Sequence, residues 1–322
     1  MNSHATILNN RDFDPVAWAD KIEGFRRYGK KEDVAHMLAS ISNKQRQLLK
    51  EPYKTKYGND IVAALDKKFS GDLETLIFAL MDTPVEYSVK QLRGAMKGLG
   101  TDENTLIEII CTRTSDQLGA IRDAYIKAYG KLLSNEIDSE TSGEFSALLI
   151  YLVDSLRDVS QDTNDAAAHN DAVRLFGDGE DKSSAKERHS KFLEIFSRRN
   201  PKQLRKIFAE YERLSGIPIE KAINKEFKGD LAAAYLTIVR TFSDKQATFF
   251  AEQMHAAMKG LGTKDNNLIR AIVTRSEIDL ALIQEEYLKL YNKSLAEAIK
   301  SETSGTYCDI LLQILHGNKE LA

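Results

Sequence analysis

The sequence predicts an all-α protein built from four repeats of about 70 residues. Three observations support this prediction. Apolar residues recur at helical spacing, as in the stretches Leu106–Ile110 and Leu268–Val273. No segment shows a convincing alternation of apolar and polar residues, the pattern of a half-buried strand. Two sequence markers also return along the chain with the same spacing, which is typical of a repeat architecture.

The first marker is a glycine that follows a polar turn and precedes an apolar run. Its copies are Gly71, Gly143, Gly229 and Gly305. Successive copies are 72, 86 and 76 residues apart. The second marker is an arginine, and its copies are Arg113, Arg199 and Arg275. These are 86 and 76 residues apart, and Ile41 takes the equivalent place in the first repeat. Because both markers give one register, we infer four repeats of four or five short helices whose apolar stripes cover each other.

The register divides the chain into six segments. We expect an N-terminal arm over residues 1–14, repeat one over 15–86, repeat two over 87–158, a linker over 159–172, repeat three over 173–246 and repeat four over 247–322. The linker explains the longer middle step, and its polar stretch "RDVSQDTNDAAAHNDA" has the composition of a connecting segment.

Composition narrows the class of protein. The net charge is -3, which argues against nucleic acid as the main partner, because phosphate binding needs a basic surplus. The first residues contain neither an apolar run nor a basic leader, and no run of 18 apolar residues occurs, so we expect a cytoplasmic protein. Cys111 and Cys308 both lie in apolar helical patterns, and we expect buried free thiols rather than a disulfide.

One loop sequence occurs twice. The segment "AMKGLGTDENTLIEII" at Ala95–Ile110 returns 162 residues later as "AMKGLGTKDNNLIRAI". One interpretation is purely structural: Gly98 ends one helix and Thr101 caps the next. The other is a metal site, because a glutamate in "SETSG" follows 40 residues after the second glycine of each copy, at Glu140 and at Glu302. A glycine loop that exposes carbonyl oxygens, together with one carboxylate, matches the hard oxygen ligands that calcium prefers.

The combination of "MKGLGTDENTLIEIICTRTSDQL" with "SETSG" downstream resembles the endonexin repeat of the annexin family, and the resemblance extends over nearly the whole chain. It implies a curved disc of four compact five-helix modules, with the glycine loops on the convex face. It also implies a protein that uses Ca²⁺ to dock on anionic phospholipid membranes, with possible self-association there. Its location would be cytoplasmic and reversibly at the inner face of membranes.

The resemblance also implies the ligands, carried over by position. In repeat two these are the backbone carbonyls of Met96, Gly98 and Gly100 with the carboxylate of Glu140. In repeat four they are the carbonyls of Met258, Gly260 and Gly262 with Glu302. Thr101 and Glu103 resemble a weaker accessory site. Lys97 and Lys259 would touch lipid headgroups or simply be solvated charges.

Two repeats depart from this pattern. Repeat one keeps only Gly29 of the glycine pair, with Arg27 in the other place, and Lys68 stands in register with the glutamates. A lysine cannot bind a cation and would repel it. Repeat three has no glycine in its loop, although Glu226 keeps the carboxylate. We therefore expect two calcium sites of the family type and not four.

No other motif indicates chemistry. An EF-hand loop counted from Asp178 fails at Lys182 and Ser183, and no histidine or cysteine pattern, phosphate loop or nucleophile motif indicates an enzyme. Two alternatives to calcium-dependent lipid binding stay open. The first is a calcium-permeable channel, although Ser88 and Gln91 replace two acidic residues that relatives carry there.

In that channel interpretation, Glu108, Arg113 and Arg270 match polar residues of the relatives and would form interface ion pairs. The second alternative is a membrane-associated scaffold that binds proteins through the arm. The arm has no amphipathic stripe, so no protein partner can be named.

Overall fold

A computed structural model describes residues 4–154, 157–177, 184–260 and 262–321. The all-α prediction is confirmed, because the described residues form helices joined by turns and contain no strand. In repeat one the helices α1 to α6 are Pro15–Tyr28, Lys31–Ala39, Asn43–Leu48, Lys50–Tyr57, Ile61–Asp66 and Gly71–Met81. In repeat two, α7 to α11 are Pro84–Ala95, Glu103–Thr112, Ser115–Tyr129, Leu133–Glu140 and Gly143–Asp154.

The other two repeats have the same number of helices as repeat two. In repeat three, α12 to α16 are Asp165–Phe176, Ala185–Arg198, Pro201–Ser215, Ile219–Glu226 and Gly229–Phe242. In repeat four, α17 to α21 are Gln246–Met258, Asp265–Arg275, Leu280–Tyr291, Leu295–Glu302 and Gly305–His316, followed by the 3-10 turn Lys319–Leu321. Repeat one has an extra boundary at Leu49, because Pro52 lacks the amide hydrogen that would bond the carbonyl four residues earlier.

The glycine marker has a structural cause. Each copy is the first residue of the last helix of its repeat, and φ is 64°, 64°, 57° and 62° in chain order. This left-handed conformation costs any residue with a Cβ about 1–2 kcal/mol, so glycine is favoured at this turn.

The chain forms two compact units. One contains Met1–Pro84 with Ala247–Ala322 and so holds repeats one and four, while the other is Val85–Gln246 and holds repeats two and three. Within the first unit, α6 packs against α18 and α2 against α21; within the second, α8 packs against α16 and α12 against α14.

Apolar stripes form the core of each unit. Buried residues of the first unit include Leu38, Leu76, Ile269, Ile272 and Leu311. Those of the second include Leu106, Ile110, Leu148, Phe196 and Tyr235. Burying each such side chain contributes about 1.5–3 kcal/mol.

The two cysteines are buried and free, which confirms the prediction made for them. Burial raises the pKa of the Cys111 thiol to about 12, so this sulfur stays protonated and unreactive. None of the described helices combines the length and apolar character needed to cross a bilayer.

The polar residues of the channel interpretation differ in how deeply they are buried. Ser88, Glu108 and Arg270 are buried, whereas Gln91 and Arg113 are half-buried. Their pairing as interface ion pairs stays a prediction.

The N-terminal arm packs into the first unit. The backbone amides of Thr6 and Ile7 donate to the carbonyl of Ser276 over 2.8 and 3.0 Å. The side chain of Asn318 accepts from the amide of Leu8 and donates to its carbonyl, both over 2.7 Å. The described part of the arm is therefore held by repeat four through backbone hydrogen bonds.

Candidate calcium sites

The two glycine loops have nearly the same backbone conformation. The angle φ is 116° at Gly98 and 111° at Gly260, and it is 85° at Gly100 and 83° at Gly262. All four values lie where a side chain would clash with its own backbone, so glycine is required. Leu261, which stands between the two glycines in the second sequence, lies outside the described residues. The repeated sequence thus encodes a repeated loop geometry.

Each loop joins the first two helices of its repeat, α7 to α8 and α17 to α18. The amide of Asp102 donates to the carbonyl of Ala95 over 2.9 Å, and the amide of Lys264 donates to that of Ala257 over 2.8 Å. These bonds close the base of the loops in the same way. The purely structural interpretation placed the helix cap at Thr101, but the cap of α8 is Asp102. Thr101 is thereby left available to bond elsewhere.

The structure brings each glutamate next to its loop. Glu140 is the last residue of α10, and the hydroxyl of Thr101 donates to its carbonyl over 3.0 Å. Glu302 is the last residue of α20, and the hydroxyl of Thr263 donates to its carbonyl over 3.3 Å. The threonine of "GLGT" therefore ties together two segments that lie about 40 residues apart.

Buried side chains anchor the start of each loop, while its tip faces solvent. Met96 and Met258 are buried at 4% and 6% exposure, next to the helices that precede the loops. Leu99, at the tip of the repeat-two loop, is fully exposed. A fully exposed leucine contributes nothing to the protein interior, so Leu99 does not stabilise the fold by burial.

The proposed accessory residues lie beside the same site. Thr101 and Glu103 are both half-buried. Glu103 and Glu140 line one open cavity of 750 Å³ within the second unit, together with Lys228 and Asp230. The cavity places a second carboxylate near the loop of repeat two.

The donor set fits calcium, which binds six to eight oxygen atoms from carboxylates, backbone carbonyls and water. Each loop places exposed backbone beside one exposed carboxylate. Neither Glu140 nor Glu302 has an ion-pair partner among the described residues. Within those same ranges no three His, Cys, Asp or Glu side chains form a metal cluster, so backbone oxygens would supply most of the ligands.

Repeat one does not offer such a loop. Helix α1 continues to Tyr28, and the remaining glycine has φ of -100°, outside the left-handed region. The ammonium of Lys68 donates to the carbonyls of Arg26 and Gly29 over 3.0 and 3.2 Å. Lysine was expected to repel a metal ion here; in addition, it takes up two carbonyls by hydrogen bonding.

Repeat three also differs. The segment 178–183, which includes the rejected EF-hand positions and much of the glycine-free loop, lies outside the described residues. The carboxylate of Glu226 is bound by Arg188, with Nε and Nη2 at 3.0 and 2.9 Å from Oε1. The ring of His189 lies between Glu226, at 3.2 Å, and Glu144, at 2.7 Å. This carboxylate is therefore already paired with the guanidinium of Arg188.

Sequence reasoning missed these two pairings. The basic pair in "KERHS" stands directly after the glycine-free loop, which was the available signal for the Arg188–Glu226 contact. For Lys68 the register with the glutamates was seen, but its hydrogen bonds to the loop were not.

Comparison with known proteins identifies this arrangement. The four helical repeats, two of them with a glycine loop beside a glutamate that has no ion-pair partner among the described residues, define a repeat protein with candidate calcium loops. A family model described as Annexin matches residues 23–80, 87–152, 180–238 and 249–314. The chain belongs to the annexin family, whose members bind calcium and phospholipids, associate with membranes and are generally non-enzymatic.

Relatives and solved structures agree. Human annexin A13 is 38% identical over 317 residues, covering 98% of this chain and 99% of that protein. Human annexin A11 is 40% identical over 320 residues, which are 99% of this chain but only 63% of that protein. The structure of annexin III matches with a TM-score of 0.92 at 40% identity, covering 98% of both chains. A calcium-bound annexin (Sm)1 matches with a TM-score of 0.87 at 30% identity, covering 97% of this chain and 92% of that one.

Proposed function

We propose that this protein docks peripherally on anionic phospholipid membranes through Ca²⁺ held by repeats two and four. The carrying observation is the duplicated geometry: two glycine loops with matching φ angles, each tied by a threonine hydroxyl to a helix end. In both cases that helix end bears a glutamate for which the described part of the chain supplies no ion-pair partner. The family relationship and the calcium-bound annexin (Sm)1 among the similar structures support the choice of metal.

The residues that would hold the ion are the carbonyls of the loops and the two glutamates. In repeat two these are Met96, Gly98, Gly100 and Glu140. In repeat four they are Met258, Gly260, Gly262 and Glu302. Calcium would supply positive charge and open positions for lipid phosphoryl oxygens, which lets a protein of net charge -3 attach to an acidic surface.

Membrane binding would depend on both loops. Two sites that engage one surface gain from effective concentration, so loss of either weakens the calcium-dependent binding and loss of both abolishes it. We propose that this happens in the cytoplasm and reversibly. The channel alternative has no observation of its own in its favour, since Ser88 and Gln91 carry no charge.

The test is sedimentation with phosphatidylserine-containing vesicles across a calcium titration. Glu140→Gln with Glu302→Gln keeps the shape and a carbonyl oxygen but removes the charge and the bidentate grip. This double variant should show no calcium-dependent increase in binding at calcium levels that saturate the parent. Asp138→Asn is the matched control, because it removes an exposed charge from the same helix α10. A double variant with the parental calcium midpoint would reject the proposal.

A further inference from the structure

The repeat-one loop, the short connection between α1 and α2, directly follows an exposed aromatic side chain, the last residue of α1. Tyr28 is 88% exposed and directly precedes Gly29, as the fully exposed Leu99 directly precedes Gly100. Most aromatic side chains of a folded domain are at least partly buried, because they contribute large apolar areas. Tyr28, at the C-terminal end of α1, is therefore available to contact a surface partner.

The chain itself supplies the cation for this loop. The ammonium of Lys68 bonds the carbonyls of Arg26 and Gly29, at the C-terminal end of α1 where helix carbonyls lack partners. Repeats two and four carry glutamates at this register position. The loop of repeat one is thus ordered by an internal positive charge rather than by a bound ion.

The surroundings of Tyr28 carry basic side chains. Arg27, Lys30, Lys31 and Lys67 are all exposed. A surface like this attracts anionic lipid headgroups without any metal.

Most of the acidic side chains near Tyr28 are ion-paired, hydrogen-bonded or at least partly buried. Glu23 is buried and bound by two arginines of α1. Asp33 accepts from the amide of Lys30 over 3.2 Å, and Glu32 accepts from Thr306 over 3.2 Å; both are half-buried. Asp66 and Asp72 are exposed, and Asp72 lines a cavity together with Lys31.

This loop lies near the candidate calcium site of repeat four. Lys31 lines a 340 Å³ cavity of the first unit together with Glu302, Thr303 and Ser304. A membrane bridged at Glu302 would therefore be next to the basic end of the repeat-one loop.

We propose that the repeat-one loop is a calcium-independent contact with anionic phospholipid bilayers. Tyr28 enters the interfacial layer, where aromatic rings with one polar edge are favoured. Lys30, Lys31 and Lys67 attract the lipid phosphates, and Arg27, which is paired with Glu23, adds less. This inference rests on the proposed membrane function and adds a second mode to it, in which the lysine of repeat one replaces the metal.

The test uses tryptophan as a local reporter. The chain has one tryptophan, Trp18, which packs against Phe13 with ring centroids 5.5 Å apart. In a Trp18→Phe background, Tyr28→Trp places a reporter at the end of α1 and Leu99→Trp places one at the tip of the repeat-two loop. Emission is recorded with vesicles of phosphatidylserine and phosphatidylcholine, in chelator and then in calcium, with brominated lipid as quencher.

The two reporters should respond differently. With anionic vesicles in chelator at low salt, the Tyr28→Trp emission should shift to the blue and be quenched, while the Leu99→Trp emission should change only after calcium is added. Lys30→Glu with Lys31→Glu should lower the chelator-phase partition coefficient at least about tenfold. Vesicles of phosphatidylcholine alone should give no response in chelator.

The outcomes separate this inference from the proposed function. If the Leu99 reporter responds to calcium but the Tyr28 reporter stays silent in chelator, the calcium-independent contact is wrong and the calcium sites stand. If the Leu99 reporter ignores calcium, the proposed function fails. A Tyr28 response that persists in the Lys30 and Lys31 double variant would also overturn the inference, because the contact would not be electrostatic. Circular dichroism of each variant confirms that the helices are retained.

Discussion

The hydroxyl of Thr101 donates to the backbone carbonyl of Glu140 over 3.0 Å, across 39 residues of sequence. The same bond joins Thr263 to Glu302. In both repeats the bond uses the glutamate's carbonyl, so the carboxylate remains free to bind a metal ion. The threonine thus holds the glutamate near the glycine loop without neutralising it.

The first prediction concerns this threonine. Thr101→Val removes the donor but keeps the shape, and the loss of a hydrogen bond worth about 1 kcal/mol should weaken calcium binding at repeat two roughly fivefold. Calcium titration of the variant by calorimetry provides the measurement, with Ser139→Ala on the same helix α10 as a control. Unchanged affinity in Thr101→Val would show that the bond does not position the glutamate.

The second prediction concerns Lys68. Lys68→Met removes the ammonium from two loop carbonyls, and a charge-assisted hydrogen bond contributes about 1.5–3 kcal/mol. Because the side chain is half-buried, we expect the lower end, about 1.5 kcal/mol of lost unfolding free energy. Urea denaturation measures it. Lys67→Met, at the exposed neighbouring position, should leave the midpoint nearly unchanged. Equal effects from both would deny Lys68 a special role.

The third prediction concerns the contact between Gly317 and the N-terminal arm. A Cβ added to Gly317 would lie 2.1 Å from the carbonyl oxygen of Thr6, and φ there is +81°. Gly317→Ala should therefore displace the arm and cost more than about 2 kcal/mol. Gly216→Ala is the control. There φ is +70°, but no atom lies within 4 Å of the added Cβ, so we expect only the backbone strain of about 1 kcal/mol. Thermal unfolding of the two variants gives the comparison; similar losses would mean that the arm is not held there.

The fourth prediction concerns acid stability. Glu23 accepts from the guanidinium of Arg26 over 2.7 and 2.9 Å, and it also contacts Tyr53 and Arg27. The Arg26 hydrogen bonds, which outweigh the opposing effect of burial, lower the pKa of Glu23 from 4.5 to about 2.

Because this folded-state pKa is depressed, the stabilisation is present above the ordinary value of 4.5 and is lost as the pH falls towards 2. Glu23→Gln should lower stability at neutral pH by about 1–3 kcal/mol and flatten the decline between those two pH values. Denaturation curves at several pH values measure both effects. A parent and variant with parallel pH profiles would contradict the assignment.

Most of the fold could be predicted from the sequence, since helical periodicity and two markers act locally. The marker glycine of each repeat is required by a left-handed turn, which any sequence reader can anticipate from its recurrence. The two glycine loops could likewise be predicted, because loops with the same backbone conformation require the same residues. The division of the four repeats into two units could not be predicted, because it depends on which helices of different repeats pack together.

The remaining features depend on contacts between distant residues. The arm looks polar and unpatterned in the sequence, yet Ala5 and Ile7 are buried. The carbonyl of Ser276, about 270 residues later, accepts hydrogen bonds from the amides of Thr6 and Ile7 and holds this part of the arm in place. The hydrogen bond from Lys68 to the carbonyl of Gly29 could not be predicted, because the two residues are 39 positions apart in the sequence and meet only in the folded chain. The pairing of Glu226 with Arg188 is of the same kind.

The account is tested most directly by diffraction from crystals soaked in calcium. It predicts one ion at the loop of repeat two, bound by the carbonyls of Met96, Gly98 and Gly100 with Glu140, and one at the equivalent loop of repeat four. It predicts none between Lys68 and the repeat-one loop, and none at Glu226. A well-coordinated ion in repeat one, or an ordered repeat-two loop without calcium at saturating concentration, would contradict it.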